Sequence, residues 1–331
     1  MRNRCATCER LLQHLNDRRF VTGTDLGKEL KISRAAVHKH IESLKASGLP
    51  VDGISGRGYR LARGVVPMDE AAIRDRLDER STDLVSKIIV ECIVDSTSSR
   101  LLQLSASESI HGVVCITESQ PAGRGRRGRH WIATPFTNLL MSVGWVYESW
   151  PRDITGLSVA VGISLIEAIR SLDIDGLGMK WPNDLVIDGK KTGGILIEVS
   201  GESTGRCTVV VGLGINVRMG GDDGRSIDQP WTDLETVRGQ AVNRNELAAA
   251  CLSALCRMLQ AFPEAGFEPW RIKWADVDVL TGETVSITTH QNGVSTEGVV
   301  TGLDTTGALL VDVKGQGIRS LLSGEVSVRA R

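Results

Sequence analysis

A twelve-residue segment rich in glycine and arginine, Gln120–Trp131, carries the side chains best suited to bind phosphate. Its glycines are Gly123, Gly125 and Gly128, and its arginines are Arg124, Arg126, Arg127 and Arg129. Glycine lets the backbone bend where side chains would forbid it, and guanidinium groups offer planar forks of donors that match phosphate oxygens. Such a segment can close around a nucleotide or an acyl-adenylate. Taken alone, it is explained equally well as an RG-rich nucleic-acid tract or a solvated basic loop.

A second polar segment begins at Lys180 with the sequence Lys-Trp-Pro-Asn-Asp. Pro182 imposes a rigid turn that presents Asn183 and Asp184. Lys191 follows just before two glycines and an apolar strand, so its ammonium group can reach into a site while its backbone stays fixed. For an isolated lysine pair, however, a β-hairpin with a charged tip is the more frequent structure.

Two weaker patterns flank these segments. Gly212–Asn216 reads Gly-Leu-Gly-Ile-Asn, a glycine-lined strand whose backbone a ligand can approach. Because it lacks the G-x-G-x-x-G spacing and the Rossmann order, we reject dinucleotide binding. Asp95–Ser98 reads Asp-Ser-Thr-Ser after an apolar strand, and its hydroxyls could hydrogen-bond a ureido or carboxyl group. A lone Ser/Thr turn is far more often structural.

The composition indicates a folded cytoplasmic protein of two or three domains. The chain has 331 residues, of which 41% are hydrophobic and 24% are charged. Its apolar stretches are far shorter than the ~20 residues of a membrane-spanning helix, and no apolar core follows the basic N-terminus, so we expect neither a membrane span nor a secretory signal. The seven scattered cysteines favour reduced thiols, and the Cys5/Cys8 pair fits a frayed start better than a metal or redox site.

Positive charge is concentrated near the N-terminus. Residues 1–63 carry 13 Lys and Arg against 6 Asp and Glu, a net charge of +7, whereas the remainder carries 26 against 34, a net charge of −8. This asymmetry predicts a polyanion partner for the first part only.

The spacing of apolar residues predicts an α+β multidomain fold with regions at residues 1–63, 68–270 and 271–331. In the first region, helices separated by a short turn, with Ser33 as a helix cap, and a small hairpin make a winged helix-turn-helix. The second region alternates strands with helices, of which Ser158–Leu172 is the clearest, and predicts a central α/β domain on a mixed sheet. In the third, short alternating strands predict a small β-barrel.

The predicted strands of the second and third regions are Ile88–Val94, Val113–Thr117, Leu139–Val146, Ile195–Val199, Val209–Val217, Val285–Thr289, Ser295–Leu303, Ala308–Lys314 and Glu325–Arg329.

The order of the motifs resembles the biotin–protein ligase family. Asp-Ser-Thr, the glycine–arginine segment, Lys-Trp-Pro-Asn-Asp-Leu and Gly-x-Gly-Ile-Asn follow one another as in that family. The stretch Ser33–Ile41 and the wing Gly56–Tyr59 are similar to its bifunctional branch, which also represses the biotin operon, and the resemblance runs from about residue 20 to the C-terminus. It implies a winged helix-turn-helix, a central ligase domain and a C-terminal SH3-like β-barrel.

The resemblance also implies roles residue by residue. Biotin is expected to bind Ser96, Thr97, Ser98, Gln120, Arg124, Gly125, Arg126 and Lys191. ATP or the adenylate is expected to bind Arg126, Arg127, Arg129, Lys180, Asn183, Asp184, Asn216 and Trp231, with Asp184 as a Mg²⁺ ligand. Lys191, Arg126 and Arg124 are the expected catalytic residues, and Glu325 and Arg329 are expected to help adenylate or acceptor binding. Ser98 departs from the family pattern because asparagine is common there, and Pro121 replaces a polar residue beside Gln120.

The implied function is ATP-dependent activation of biotin to biotinyl-5′-AMP and transfer of biotin to a lysine of the biotin carboxyl carrier protein of acetyl-CoA carboxylase. The implied second function is repression of biotin synthesis genes by a homodimer that forms when the adenylate is bound. Operator DNA is then expected to contact Ser33, Arg34, His38, Lys39 and Arg57.

Three other interpretations stay open on the sequence alone. A lipoate ligase uses the same kind of domain, although the dense glycine–arginine segment, the C-terminal barrel and the wing favour biotin. A regulator that only senses a small ligand would not need Lys191, Arg124 and Arg126. A ligase with a vestigial DNA-binding domain would lack only operator binding.

Overall fold

The computed structural model describes the chain except for residues 1–6, 8–9, 13, 17, 47, 63, 202–204, 221–226, 290–294, 324–325 and 331. The side chains of residues 289 and 326–330 are also outside the described part. Cys5, Cys8, Glu325 and the side chain of Arg329, which the sequence analysis singled out, therefore lie outside the described residues.

The N-terminal region folds as the predicted winged helix-turn-helix. Its elements are helices α1 (Gly23–Leu30) and α2 (Arg34–Ala46) and strands β1 (Val51–Ile54) and β2 (Gly58–Leu61), which pair antiparallel. Thr22 caps α1 by accepting a hydrogen bond from Asp25 N, and Ser33 caps α2 by accepting one from Ala36 N, both at 3.1 Å. The apolar faces of α1 and α2, with Leu26, Leu30, Val37, Ile41 and Leu44, pack in one buried cluster together with Leu11, Leu12 and Leu15.

The strands of the central domain are β3 (Lys87–Ile93), β4 (Val113–Ser119), β5 (Asn138–Tyr147), β6 (Leu177–Lys180), β7 (Asp184–Ile187), β8 (Lys190–Gly201) and β9 (Cys207–Asn216). In the described chain these seven strands form one mixed sheet in the order β3-β4-β5-β9-β8-β7-β6. β3 and β4 are parallel, and the other neighbours are antiparallel. The mixed sheet confirms the predicted central fold.

Helices cover both faces of this sheet. They are α3 (Glu70–Arg74), α4 (Glu79–Thr82), α5 (Thr97–Ser105), α6 (Leu157–Arg170), α7 (Leu234–Arg238), α8 (Arg244–Ala265) and α9 (Glu268–Lys273). Along β4, Val113 and Cys115 pack in a cluster with Leu101 of α5, whereas Val114 and Ile116 pack in the larger core that contains α6 and α8. Burial on both faces explains the nearly continuous apolar runs of these strands.

The C-terminal region is a small antiparallel sheet. Its strands are β10 (Thr284–Thr289), β11 (Ser295–Leu303), β12 (Leu309–Val313), β13 (Gly317–Leu321) and β14 (Val326–Ala330), in the order β13-β12-β11-β10-β14. β13 was not predicted. It is an edge strand, and its first four residues are exposed, so the alternation of apolar and polar residues that identified the other strands is missing.

The winged helix-turn-helix packs directly against the central domain. Phe136 is 2% exposed and lies in the apolar cluster of the N-terminal helices together with Cys92. Pro135 lies against Gly48, where an added Cβ would be 2.9 Å from Pro135 Cγ. Because Pro135 and Phe136 closely follow the glycine–arginine segment, the two domains meet next to the predicted site.

A buried ion pair holds the segment that joins these domains. Arg244 Nη1 donates to Glu118 Oε2 at 2.6 Å, and the two side chains are 7% and 2% exposed. Arg244 Nη2 also donates to Val66 O at 2.7 Å, and Met68 N donates to Glu118 Oε1 at 2.6 Å. Both charges therefore have additional hydrogen-bond partners, which a buried ion pair needs in order to offset its desolvation.

Within the part of the chain that the structure describes, no helix has both the length and the apolar character needed to cross a bilayer.

Candidate active site

One cavity of about 720 Å³ gathers the four motifs. Its lining includes every residue that the resemblance assigns to biotin or nucleotide, namely Ser96, Thr97, Ser98, Gln120, Arg124, Gly125, Arg126, Arg127, Arg129, Lys180, Asn183, Asp184, Lys191, Asn216 and Trp231. The fold thus brings these side chains together from distant parts of the sequence, while their individual roles stay predictions.

One end of the cavity is a buried network of hydroxyl and amide groups. Thr97 donates to Gln120 Oε1 from its backbone N at 2.7 Å and from its hydroxyl at 3.1 Å. The hydroxyl of Ser142 lies 2.7 Å from that of Thr97 and 3.0 Å from that of Ser98. Ser96 caps α5 at its N-terminus. The network fixes groups that can recognise a polar, uncharged head group.

Ser142 was not predicted, although a signal for it exists. It is a buried polar residue in the middle of β5, whose neighbours are apolar. A buried hydroxyl needs a hydrogen-bond partner, so a single serine in an apolar strand indicates either a structural network or a site.

The glycine–arginine segment is a tight loop whose two arms are paired. Trp131 N donates to Gly123 O at 2.9 Å, and a Cβ at Gly123 would lie 2.9 Å from Trp131 O. Arg127 and Gly128 form the tip with φ angles of 61° and 72°. A Cβ at Gly125 would meet nothing closer than 3.5 Å. The geometry therefore requires glycine at Gly123 and favours it at Gly128, and the sequence-based reason for glycine does not hold at Gly125.

Two arginines of the loop are held by acceptors from other elements. Arg124 Nη2 donates to Glu198 Oε2 of β8 at 2.8 Å. Arg126 Nη1 donates to Asn183 Oδ1 at 3.1 Å, and its Nη2 donates to the carbonyl oxygen of Ser323 in the C-terminal region. Glu198 and Ser323 were not predicted as site residues. These contacts tie the loop to the central sheet and to the C-terminal sheet at the same time.

The guanidinium of Arg126 is a partly desolvated positive charge. Desolvation lowers the pKa of Arg126, the neighbouring Arg127 lowers it further, and Asp184 opposes the shift. The guanidinium stays protonated in proteins, so a lowered pKa marks a desolvated positive charge that an added anion would stabilise.

Lys191 enters the cavity from a hairpin. β7 and β8 are joined by a turn at Asp188 and Gly189, and Lys190 is exposed beside this turn. Lys191 is 17% exposed, and its Nζ lies 2.6 Å from Asp184 Oδ1. The sequence analysis treated a charged hairpin tip and a lysine directed to a site as alternatives. Both are present: Lys190 lies at the hairpin tip, and Lys191 lines the cavity.

Glycines form part of the cavity wall because side chains pack against them. A Cβ at Gly212 would lie 2.6 Å from Ser98 Oγ, and a Cβ at Gly214 would lie 2.5 Å from Trp131 Cε2. The Trp131 ring centre is also 5.6 Å from Lys191 Nζ. Trp131 was treated only as a boundary of the loop in the sequence analysis, whereas the structure makes it a wall of the cavity.

The five predicted DNA contacts lie together on the N-terminal region. Ser33, Arg34, His38, Lys39 and Arg57 are all exposed. His38 Nδ1 lies 3.0 Å from the hydroxyl of Tyr59, which links α2 to the wing. The Arg57 guanidinium lies 4.9 Å from the centre of the Phe20 ring. The helix and the wing are thus in direct contact through His38 and Tyr59, and both carry exposed polar side chains.

Comparison with known proteins agrees with this architecture domain by domain. Residues 8–60 match an HTH domain, residues 90–216 match the biotin/lipoate A/B protein ligase family, and residues 281–329 match the biotin protein ligase C terminal domain. With a relative that is 35% identical over 97% of its length, the chain belongs to the biotin–protein ligase family.

The relatives that match over nearly the whole chain are bifunctional. The bifunctional ligase/repressor BirA of Salmonella typhimurium is 35% identical over 320 residues, and that of Escherichia coli is 34% identical over 321, each alignment covering 97% of both chains. Among solved structures, the biotin protein ligase from Aquifex aeolicus in complex with biotin and ATP is similar with a TM-score of 0.62 at 27% identity, over 74% of this chain and all of that one.

Proposed function

We propose that the chain is an ATP-dependent biotin–protein ligase that forms biotinyl-5′-AMP, and that it also represses biotin synthesis genes. The observation that carries the proposal is the single cavity with two chemically different ends. One end is lined by Ser98 and Gln120, with the buried hydroxyl of Ser142 hydrogen-bonded behind Ser98, and the other holds Arg126 and Lys191. These ends match the uncharged head group and the phosphate of a biotinyl-adenylate.

The reaction has two steps. The biotin carboxylate attacks the α-phosphate of ATP, pyrophosphate leaves, and a lysine amine of the acceptor then attacks the resulting mixed anhydride and releases AMP. Negative charge grows on phosphate oxygens in the first step, so fixed cations lower its barrier, and we assign this role to Arg126 and Lys191. Arg124, held by Glu198, keeps the loop closed so that water does not hydrolyse the anhydride. The acceptor that we propose is the biotin carboxyl carrier protein of acetyl-CoA carboxylase.

Mg²⁺ is expected to bind to this site together with ATP. In the described ranges no group of three or more His, Cys, Asp or Glu side chains is arranged to hold a metal ion by itself. Asp184 supplies one carboxylate at the phosphate end of the cavity, and a site completed by substrate phosphates suits the coordination preferences of Mg²⁺. The ion would neutralise part of the phosphate charge when bound.

Pyrophosphate exchange separates this proposal from its alternatives. The purified chain should incorporate labelled pyrophosphate into ATP when biotin is added and should not do so with lipoate. Exchange with lipoate alone would identify a lipoate ligase. Biotin binding without exchange would identify a sensor that does not activate its ligand.

Gly212→Ala should weaken biotin binding by about 10- to 100-fold. The added methyl group would displace Ser98 Oγ, now 2.6 Å from the Cβ position, and overpacking of this kind costs roughly 1–3 kcal/mol. Titration calorimetry with biotin measures the effect. Gly53→Ala in the wing is the control, because its added Cβ would have contacts of at least 3.4 Å. Equal biotin affinity in the two variants would contradict the placement of the head group.

We propose that the N-terminal region binds operator DNA as part of a homodimer that assembles when the adenylate is bound. One winged helix-turn-helix reads one half-site, so a palindromic operator needs two copies. The exposed cluster on α2 and the wing, within a region of net charge +7, supports this proposal. Sedimentation of the chain with and without the adenylate tests the assembly step.

Arg34→Ala should weaken operator binding by about 10- to 100-fold, because Arg34 lies exposed at the first position of α2 and a base or phosphate contact from such a residue contributes roughly 1–3 kcal/mol. Fluorescence anisotropy with a labelled operator fragment gives the affinity. Arg74→Ala, in α3 outside the winged helix-turn-helix, is the control. A vestigial DNA-binding domain would show no operator binding before or after either change.

We place the protein in the cytoplasm, where thiols stay reduced. Cys92, Cys115, Cys207, Cys251 and Cys256 are buried and free of disulfides. Burial raises the pKa of Cys115, Cys251 and Cys256 to about 12 in each case, so these thiols stay protonated at neutral pH and need no part in the reaction.

A further inference from the structure

The indole of Trp181 joins the cavity to the C-terminal sheet. Trp181 is 4% exposed, and its Nε1 donates a hydrogen bond to Gly307 O at 3.1 Å. Gly307 belongs to the turn between β11 and β12. In the chain, Trp181 lies two residues before Asn183, whose side chain holds Arg126. Neither the residue assignments above nor the proposed mechanism gives Trp181 a role.

The turn that carries Gly307 is firmly seated. Asp304 accepts hydrogen bonds from Thr306 N at 2.8 Å and from Ala308 N at 3.0 Å. Thr155 of the central domain donates from its hydroxyl to Thr306 O at 2.9 Å. Gly307 has a φ of +84°, and a Cβ there would lie 2.8 Å from the Cα of Gly156. Hydrogen bonds within the turn and contacts with the central domain therefore fix the position of the turn. It can serve as a rigid anchor for the hydrogen bond from Trp181.

The C-terminal sheet reaches the cavity again at Ser323. The Ser323 carbonyl accepts a hydrogen bond from Arg126, and the same guanidinium donates to Asn183 Oδ1 at 3.1 Å. The Asn183 amide in turn donates to Ile195 O at 2.8 Å. The C-terminal region thus contacts Arg126 directly through Ser323, and through Gly307 it contacts Trp181, two residues before Asn183.

We propose that Trp181 is a positioning residue for ATP activation. Its N–H anchors the C-terminal sheet so that the Ser323 carbonyl aims Arg126 at the phosphate end of the cavity. The inference rests on the proposed ligase function, because it concerns how one cation of that site is oriented. The head-group end, lined by Ser98 and Gln120 and supported by Ser142, has hydrogen bonds that do not pass through Trp181, so the contribution of the head group to biotin affinity is independent of this anchor.

Trp181→Phe removes the donor and keeps an aromatic ring. We expect kcat/KM for ATP in pyrophosphate exchange to fall about 10-fold, the consequence of losing one buried hydrogen bond and misaiming a charge. The dissociation constant for biotin alone should change by much less than this, because the hydrogen bonds at the head-group end are unaltered. A general loss of folded protein would reduce ATP activity and biotin binding together. A larger loss in kcat/KM for ATP than in biotin affinity therefore indicates a positioning role.

Trp270→Phe is the matched control. Trp270 is 8% exposed and its Nε1 donates to Ser164 Oγ at 3.1 Å, so the change also removes a buried indole donor, but Trp270 is not among the residues that line the cavity. The control should lose stability and keep its kcat/KM for ATP. If both variants lose ATP activity equally, or if Trp181→Phe loses biotin affinity in the same proportion, the inference is wrong.

Thr155→Val is a second variant, for which we expect a smaller effect on ATP activation. It removes the exposed hydrogen bond to Thr306 O without touching the cavity lining, so we expect a decrease in kcat/KM for ATP of about two- to fivefold. Full ATP activity in Thr155→Val together with a defect in Trp181→Phe would mean that Trp181 acts on the ligand directly, which overturns the anchor. An unmodified chain that exchanges no pyrophosphate would instead overturn the ligase proposal itself.

Discussion

Replacing Arg126 by alanine should slow adenylate formation by about 10²–10³-fold, the size of effect seen when one preorganised donor to a charged transition state is removed. Arg126 is the loop cation with contacts to both Asn183 and Ser323, so its position is fixed before any nucleotide arrives. A preorganised charge contributes most where negative charge develops during the reaction. We therefore expect the loss in kcat to exceed any rise in the KM for ATP.

The measurement is single-turnover formation of adenylate from ATP and biotin. Arg206→Ala is the control, because the Arg206–Glu148 pair is 72% and 78% exposed and such surface pairs contribute little. Circular dichroism establishes that both variants are folded. A folded Arg126→Ala protein that forms adenylate at the parent rate would remove Arg126 from the mechanism.

Glu118→Ala should destabilise the central domain by roughly 3–5 kcal/mol, because it leaves the Arg244 charge buried and unpaired. Both side chains of the pair are less than one-tenth exposed, so solvent screening does little to reduce the loss. The change also removes the acceptor of Met68 N and so weakens the segment next to the N-terminal domain. The expected readout is a lower urea midpoint for the central domain.

The paired replacement Glu118→Leu with Arg244→Met distinguishes an ion pair from simple packing. Removing both charges together should cost much less than Glu118→Ala alone, since no unpaired buried charge remains. If Glu118→Ala unfolds at the urea midpoint of the parent protein, the pair does not contribute to the stability of this junction.

The sequence analysis predicted best the features that depend on local pattern. The period of apolar residues identified α6, predicted at Ser158–Leu172 and observed at Leu157–Arg170, and it placed β11 at Ser295–Leu303 as observed. The residues expected to bind biotin and nucleotide all line one cavity, but that set came from the family resemblance and not from local pattern. β13 was missed, since an exposed edge strand need not alternate.

The partners of the site residues could not be predicted in the same way. Arg126 and Ser323 are separated by 197 positions, and Thr97 and Ser142 by 45, so these contacts depend on strand order and domain docking. Nothing local to Trp181 indicates that its N–H will meet Gly307, 126 positions later. The sequence pattern identifies the polar groups of the site, whereas tertiary packing determines which acceptor orients each of these groups.

Transfer of labelled biotin to a carrier domain is the most direct test of the central claim. The purified chain is incubated with ATP, Mg²⁺, labelled biotin and a biotin carboxyl carrier domain, and a carrier whose acceptor lysine is replaced by arginine serves as the control. We predict label on the lysine of the parent carrier, dependent on ATP, and none on the control. A folded chain that gives neither biotinyl-5′-AMP nor labelled carrier would contradict the account.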